Sequence, residues 1–309
     1  MIDLHCDTIM KIIDMPDKGD LYSNPWQIDI QKLQKAKARI QDFALFVDLK
    51  GHESPYQRYL DMLAVYLDNL EKYKDYIEPI YSYANVERVY DNGKIGSLLS
   101  VEETGVFEGD LDKVRKAYEA GVRLMTISWN YPNGFSYPNG KDYEGQKLTN
   151  KGVELIELMQ ELGMIVDSSH LNDAGTWQLV DMMHKPFIAS HSNARTLHSH
   201  PRNLPDELVA AIADKGGVIG LNFSTTFMGT NGFTHISDIV RHGMYLWDKG
   251  GSDVVAIGTD FDGIAPTTEI HDASEMPLLY DAFLAAGLKE AEVEKIFWKN
   301  ADRLFKDIL

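Results

Sequence analysis

Cysteine is almost absent from this 309-residue chain, which holds one, Cys6. A single cysteine cannot form an intrachain disulfide, so the sequence predicts a protein of a reducing compartment, and we expect a cytoplasmic location. No apolar run approaches the ~20 residues that a helix needs to span a bilayer. The chain also does not open with a basic stretch followed by an apolar run, so we expect neither a secretion signal nor a membrane anchor.

Positive charge is scarce as well. Lysine and arginine total 30 against 47 aspartates and glutamates, so the formal net charge is -17. An acidic surface repels nucleic acids and anionic membranes, and we expect neither as a partner. A cluster of inward-facing carboxylates would contribute to this excess, and bound divalent cations would offset part of it.

Strand and helix patterns alternate along the chain and predict a single (β/α)8 TIM barrel. Helical patterns with regularly spaced apolar residues, as over 56–73, follow nearly every strand, and a closing helix is predicted over 289–305. The alternative is an open doubly wound sheet, but no strand is followed by a G-x-G-x-x-G turn or a Walker-type loop. We therefore expect one domain over residues 1–309. The eight predicted strands are 2–4, 40–47, 95–101, 122–127, 164–167, 186–189, 218–222 and 253–257.

Polar residues occur where barrels place their chemistry, at the carboxyl ends of the strands. Because residues two apart in a strand share a face, His5 and Asp7 can reach one point in space. One such pair is weak support, since a solvated chain start has the same spacing, but five strand ends carry such residues. Imidazoles and carboxylates without a thiolate favour zinc or a similar divalent ion. The strand-end residues are His5, Asp7, Glu102, His170, His191 and Asp260.

All of these residues except Asp260 are candidate metal ligands. These five exceed the three protein ligands of a usual mononuclear catalytic zinc. Two ions about 3.5–4 Å apart that share a carboxylate would use all five. Glu102 is the candidate bridge, because it comes from a different strand than either histidine pair. Two such ions holding a bridging hydroxide would supply a nucleophile at neutral pH, since they lower the pKa of bound water to ~7.

Three further features predict how a substrate would be handled. Asp260 is placed to pass a proton from the nucleophile to a leaving amine, although Asp-Phe-Asp-Gly is also typical of a turn. Arg202 is suited to a bidentate grip on a carboxylate, and the alternative is a surface ion pair with the acidic start of the next helix. The loop that begins with Trp129 and Asn130 forms either a substrate wall or an aromatic contact that packs the loop onto the barrel.

In their order and spacing, these motifs resemble those of the renal (membrane) dipeptidases and their bacterial relatives in the amidohydrolase-like superfamily. The resemblance extends from the His-x-Asp at residue 5 to the closing run 300–305. It implies a (β/α)8 barrel, commonly a homodimer, that hydrolyses dipeptides and in some members accepts a D-residue on the C-terminal side. The matching motifs lie at residues 5–7, 100–102, 166–170, 190–192, 202–206 and 258–263.

The same resemblance implies a role for each site residue. Two zinc ions would be bound per chain, with Glu102 as the bridge and, together with Asp260, as a catalytic residue. Arg202 would hold the C-terminal carboxylate of the dipeptide, and Trp129 and Asn130 would contact the substrate. The implied zinc ligands are His5, Asp7, Glu102, His170 and His191.

Trp129 departs from the family pattern, because better-known members carry a histidine there, near the scissile bond. A tryptophan cannot act as a charged donor to an oxyanion. We therefore expect the replacement to affect the rate of dipeptide hydrolysis or the choice of substrate, and to leave metal binding intact. Two alternatives follow. One is a binuclear-metal amidohydrolase that acts on a non-dipeptide amide or lactam, and the other is a barrel that binds a ligand without catalysis.

Overall fold

The computed structural model describes residues 1–309 and closes eight parallel strands into a barrel, which confirms the predicted fold class. The strands are β1 (Ile2–Asp3), β2 (Ile40–Phe46), β3 (Ile77–Pro79), β4 (Ile95–Glu102), β5 (Leu124–Thr126), β6 (Ile165–Asp167), β7 (Ile188–Ala189), β8 (Val218–Leu221) and β9 (Val255–Ile257). Around the ring the order is β1, β2, β4, β5, β6, β7, β8 and β9, and β1 pairs with β9 to complete it. The additional strand β3 pairs only with the amino-terminal part of β4.

Helices connect most successive strands and surround the barrel. Short 3-10 turns lie at Pro16–Lys18, Thr104–Phe107, Lys141–Tyr143 and Ala273–Glu275. No helix is both long enough and apolar enough to cross a lipid bilayer. The α-helices are α1 (Thr8–Asp14), α2 (Ile30–Lys35), α3 (Pro55–Lys72), α4 (Tyr83–Asn92), α5 (Leu111–Glu119), α6 (Asn150–Leu162), α7 (Asp173–Met182), α8 (Asp206–Asp214), α9 (Thr225–Met228), α10 (Ile236–Gly250), α11 (Met276–Ala285), α12 (Glu290–Glu294) and α13 (Asn300–Ile308).

The predicted elements differ from the observed ones mainly at their ends, with two exceptions. The prediction omits β3 and four helices, α1, α2, α4 and α9. Of these, β3 is three residues long, ends in a proline and is paired on one side only, so its sequence carries little strand pattern. The closing helix, predicted as one run over 289–305, is divided into α12 and α13 by a π-helical turn, Lys295–Lys299. Such a turn changes the face that a helix presents, and Asn300 after it donates hydrogen bonds to the carbonyls of Ser252 and Val255.

The barrel interior is apolar at the amino ends of the strands. Successive side chains on a strand point to opposite faces, and here they alternate between two apolar clusters. The smaller cluster holds the interior side chains of all eight ring strands, and α4 and α13 also contribute to it, α13 with Leu304 and Phe305. The interior strand residues are Ile2, Leu4, Ile40, Leu98, Leu124, Ile165, Ile188, Val218 and Ala256.

The interior becomes polar one step further along each strand. Two residues after the apolar layer come buried polar side chains in five strands and glycines in β8 and β9. A Cβ at Gly220 or Gly258 would lie within 2 Å of the Ser190 carbonyl oxygen, so only glycine permits this approach. The carboxyl end of the barrel therefore rests on a polar layer, whose side chains are Asp42, Ser100, Thr126, Asp167 and Ser190.

We predict that Phe305→Ala lowers the free energy of unfolding by about 3–5 kcal/mol, because removing a buried ring leaves a cavity beneath the strands. Denaturant unfolding followed by circular dichroism measures this loss. Lys306→Ala is the matched control, since its exposed side chain should contribute less than about 0.5 kcal/mol. A loss below about 1 kcal/mol for Phe305→Ala would contradict a closing role for α13.

Candidate active site

The candidate ligands come together at the carboxyl end of the barrel, although they come from distant parts of the chain. Ligand atoms of His5, Glu102 and His191 lie within 4.8 Å of one another, and so do those of His5, Asp7 and Asp260. None of the six predicted strand-end residues is more than 9% exposed. The structure therefore gathers these side chains into one buried cluster.

The two oxygens of Glu102 face different histidines. Oε2 lies 3.4 Å from Nε2 of His5, and the same nitrogen lies 3.5 Å from Asp7 Oδ2. Oε1 lies 3.0 Å from Nε2 of His170 and 3.7 Å from Nε2 of His191. One carboxylate thus stands between two groups of ligand atoms.

His170 and His191 both turn a lone pair toward this carboxylate. His170 Nδ1 lies 3.1 Å from Asn130 Oδ1, an acceptor, and from this contact we assign the proton to Nδ1. His191 Nδ1 lies 2.7 Å from the Ser190 hydroxyl, which is itself bound to a carboxylate, and we assign Nδ1 as the donor there too. The two unprotonated Nε2 atoms then stand 3.1 Å apart, an unfavourable arrangement that a cation between them would relieve.

Electrostatics keep two of these imidazoles neutral, as metal binding requires. Burial and the nearby Arg202 charge lower the pKa of His170 to about 4, and burial with the His5 charge lowers that of His191 well below its usual value. Burial also opposes protonation of His5, but attraction by Glu102 and Asp7 outweighs it and raises the His5 pKa. Of the three histidines, His5 is therefore the one that the cluster without cations favours in the protonated form.

The carboxylates of the cluster are perturbed in different directions. Burial would raise the pKa of Glu102, but His5 and His170 outweigh it and hold that pKa below its usual range. Burial is the main cause that raises the pKa of Asp7 to about 6 and that of Asp260 to about 7. Without cations, the cluster thus disfavours three ionised carboxylates at once.

Several buried atoms here also lack hydrogen-bond partners, which fits a metal centre. Both ring nitrogens of His5 and Oδ1 of Asp7 are without one, although buried polar atoms are nearly always partnered. Gly263 makes room for the cluster, since a Cβ there would lie 2.0 Å from Asp7 Oδ2 and 2.7 Å from Asp260 Oδ1. Three imidazoles and two carboxylates form a donor set that suits divalent zinc.

The turns that present these residues are strained. Four of the six non-glycine residues with positive φ follow the carboxyl ends of barrel strands: Glu103, His170, Asp260 and Asp262. Such conformations cost of order 1–3 kcal/mol each and concentrate at functional sites. Asp262 supports its turn by accepting hydrogen bonds from Thr8 Oγ1 at 2.6 Å and from the Gln27 amide at 2.7 Å.

Two buried carboxylates that sequence reasoning did not select support the cluster. Asp167 accepts hydrogen bonds from Thr126 Oγ1, Ser190 Oγ and the amides of Ser169 and Ser190, all at 2.6–2.9 Å. Through Ser190 it holds the ring of His191 from inside the barrel. The only sequence signal was its place at the end of an apolar strand, which does not show which partners it meets.

Glu103 is the second such carboxylate, and it fixes the loop after β5. It accepts hydrogen bonds from the amides of Gly105 at 2.7 Å and Trp129 at 2.9 Å, and from the side chain of Asn133. The aromatic loop is thereby attached to the end of β4, next to Glu102.

Asp260 and Arg202 flank the cluster. Oδ2 of Asp260 accepts a hydrogen bond from Asn222 Nδ2 at 2.8 Å, and Oδ1 lies 3.9 Å from His5 Nε2. Arg202 is 6% exposed and forms no surface ion pair with the start of α8. It donates to the His191 carbonyl at 3.2 Å and more weakly to the Ser192 hydroxyl, while its Nε has no partner.

A cavity of about 300 Å³ opens onto the cluster. Asn130 and Trp129 line it, and the Trp129 ring packs 4.7 Å from that of Phe46 and 6.2 Å from that of His170, centroid to centroid. The larger cleft beside Arg195, of about 580 Å³, contains none of the candidate ligands. The smaller cavity is therefore the substrate space that belongs to the cluster, and it is also lined by Asp7, Met10, Glu102, His170, Phe227, Asp260 and Ile264.

We predict that Asp167→Ala costs at least about 3 kcal/mol of unfolding free energy, because it leaves two hydroxyls and two amides without an acceptor in a dry interior. Asp173→Ala removes the same atoms from a partly exposed ion pair with Arg195 and should cost about 1 kcal/mol or less. Urea unfolding of both variants in chelator separates this effect from metal binding. Equal losses would contradict the supporting role of Asp167.

Sequence comparisons find relatives over nearly the whole chain. The family model described as "Membrane dipeptidase (Peptidase family M19)" matches residues 1–308. A Klebsiella pneumoniae protein, "Uncharacterized protein in pqqA 5'region", is 35% identical over 237 residues, covering 74% of this chain and 87% of its own length. "Uncharacterized dipeptidase C965.12" of Schizosaccharomyces pombe is 28% identical over 296 residues, covering 90% of this chain and 71% of its own length.

A solved structure shares the whole fold. It is a metallo peptidase from Rhodobacter sphaeroides liganded with a phosphinate mimic of the dipeptide L-Ala-D-Ala. Its TM-score to this chain is 0.92 at 22% sequence identity, and the alignment covers 100% of this chain and 99% of the other. At this identity the likeness establishes the barrel architecture.

Proposed function

The chain belongs to the membrane dipeptidase family, peptidase family M19, and is thus a metal-dependent hydrolase. From this premise we propose that it hydrolyses dipeptides with two zinc ions. The observation that carries the proposal is the placement of Glu102, whose two oxygens face His5 on one side and His170 with His191 on the other. A carboxylate in this position suits a bridge between neighbouring cations.

Each proposed zinc position has its own ligands. His5 and Asp7 would hold one ion, His170 and His191 the other, and Glu102 both, with Glu102 also acting in catalysis. Two divalent ions bound there supply a water nucleophile at neutral pH and polarise the scissile carbonyl. The partnerless atoms of His5 and Asp7 support this assignment, since coordination would satisfy them.

Arg202 would bind the C-terminal carboxylate of the dipeptide. Its guanidinium is buried, holds only two hydrogen bonds of 3.2 Å or longer and keeps Nε free, so it retains donors for an anion. Burial lowers its pKa, which a bound carboxylate would counteract. The phosphinate mimic of L-Ala-D-Ala bound to the Rhodobacter sphaeroides relative supports L,D-dipeptides among the substrates.

Asp260 would carry the proton. Asn222 anchors Oδ2 at 2.8 Å and leaves Oδ1 directed toward His5. Burial raises the Asp260 pKa to about 7 in the cluster without cations, so this carboxyl group lies in surroundings where it can accept a proton. It would take a proton from the nucleophile and deliver it to the departing amine.

Trp129 supports a second candidate function, hydrolysis of a non-dipeptide amide or lactam. Its indole packs against Phe46 and faces His170, so it presents an apolar wall in place of a charged donor. A neutral, bulky acyl group would fit such a wall. The cytoplasmic location, the homodimer and the single domain over 1–309 remain predictions.

We predict that zinc-loaded protein releases amino acids from a panel of L,L- and L,D-dipeptides, that a chelator abolishes release and that added zinc restores it. Liquid chromatography of the free amino acids measures this. N-acyl amides and lactams in the same panel test the second candidate, which a kcat/KM higher by orders of magnitude would select. Two bound ions with no turnover of any compound would favour a barrel that only binds ligands.

Two substitutions should separate binding from chemistry. Arg202→Ala should raise KM strongly with zinc content unchanged, because it removes a charge-assisted pair worth about 2–5 kcal/mol. Asp260→Asn should lower kcat at least about 100-fold with zinc still bound, because the amide cannot carry the proton. Steady-state kinetics with elemental analysis measures both, and Arg195→Ala, which breaks an ion pair outside the cavity, is the control for Arg202. Unchanged kinetics would remove either residue from the site.

A further inference from the structure

The two histidines on one side of Glu102 are held by different parts of the protein. The ring of His191 is fixed from inside the barrel, through the buried hydroxyl of Ser190 and the carboxylate of Asp167. The ring of His170 is fixed from outside, by the carboxamide oxygen of Asn130, an exposed residue of the loop after β5. One ligand thus depends on the barrel and the other on a loop.

The loop over residues 129–139 contacts His170 at several points. Asn130 holds the ring, while the amide and the side chain of Asn139 both donate to the His170 carbonyl oxygen, at 2.7 and 2.9 Å. Trp129 faces the same ring, and its own amide is anchored by Glu103. His170 sits in a turn with φ of 68°. The contacts from the loop hold both the carbonyl of this turn and the ring, and so set the direction of the side chain.

We propose that Asn130 is a positioning residue for His170, and that it selectively strengthens the metal ion bound on the side of His170 and His191. By accepting the Nδ1 proton, Asn130 keeps Nε2 free to bind the ion and fixes the ring plane. Neither the His5 ring nor Asp7 Oδ1 forms a hydrogen bond with the loop, so we expect the ion on their side to depend on it less. The inference rests on the metal pair of the proposed function and not on its substrate.

The test is a zinc titration of metal-free protein against a competing chromophoric chelator, with no substrate present. Asn130→Ala should weaken one of the two ions about 10–100-fold, the usual effect of losing an outer hydrogen bond to a ligating histidine, and leave the other within about twofold. Asn130→Asp keeps the acceptor oxygen and should restore binding to within about threefold of the wild type. Tyr131→Phe, in the same loop, removes a hydroxyl that makes no hydrogen bond and should change neither affinity.

Kinetics provide the second readout. Excess zinc should raise the activity of Asn130→Ala, because part of its defect lies in metal occupancy, and the loss that remains at saturating zinc reflects the place of Asn130 in the cavity wall. Asp260→Asn should stay inactive at any zinc concentration. Wild-type affinity for both ions in Asn130→Ala, equal weakening of both, or an Asn130→Asp variant as weak as the alanine would each overturn the inference. Two bound ions without dipeptide turnover would defeat the proposed function alone, and fewer than two ions in the wild type would defeat both.

Discussion

The arrangement of this molecule depends on buried like charge at the mouth of the barrel. Asp7, Glu102 and Asp260 approach a common point, with His170 and His191 turning lone pairs toward the same place. Burial penalises each ionised carboxylate, and no lysine or arginine forms an ion pair within the cluster. Divalent cations would replace this repulsion with attraction, so the site is one that folding assembles and cations complete.

The barrel interior accommodates these buried charges because it changes from apolar to polar along the barrel axis. Its amino end is filled with apolar side chains and closed by α13, which supplies the hydrophobic burial. The next layer holds hydrogen-bonded polar side chains, and the bond between Ser190 and His191 connects it to a candidate ligand. A carboxylate such as Asp167 is tolerated there because four donors satisfy it, and a half-satisfied network would be costlier than an apolar one.

The fold and the clustering of the strand-end residues were predictable for the same reason. Strand patterns locate the carboxyl ends, and the barrel requires these ends to share one rim, so residues as far apart as His5 and Asp260 could be placed together. The supporting contacts were not predictable. That Ser190 lies between Asp167 and His191 depends on which strands are neighbours, and that Asn130 meets His170 depends on the path of a loop with no periodic pattern. Among the elements that escaped prediction, β3 and α4 line no part of the cavity, whereas α1 and α9 contribute Met10 and Phe227 to its wall.

This division explains how Trp129 can depart from the family pattern without disturbing the candidate metal centre. The candidate ligands leave the strands directly and are held by the barrel layer and by backbone geometry, whereas Trp129 touches that framework through its amide and its ring. A change of side chain at 129 therefore alters the wall of the cavity while the hydrogen bond from its amide to Glu103 persists. His170 is the exception, because a loop residue holds its ring, so it is through Asn130 that changes in the substrate wall can reach the metals.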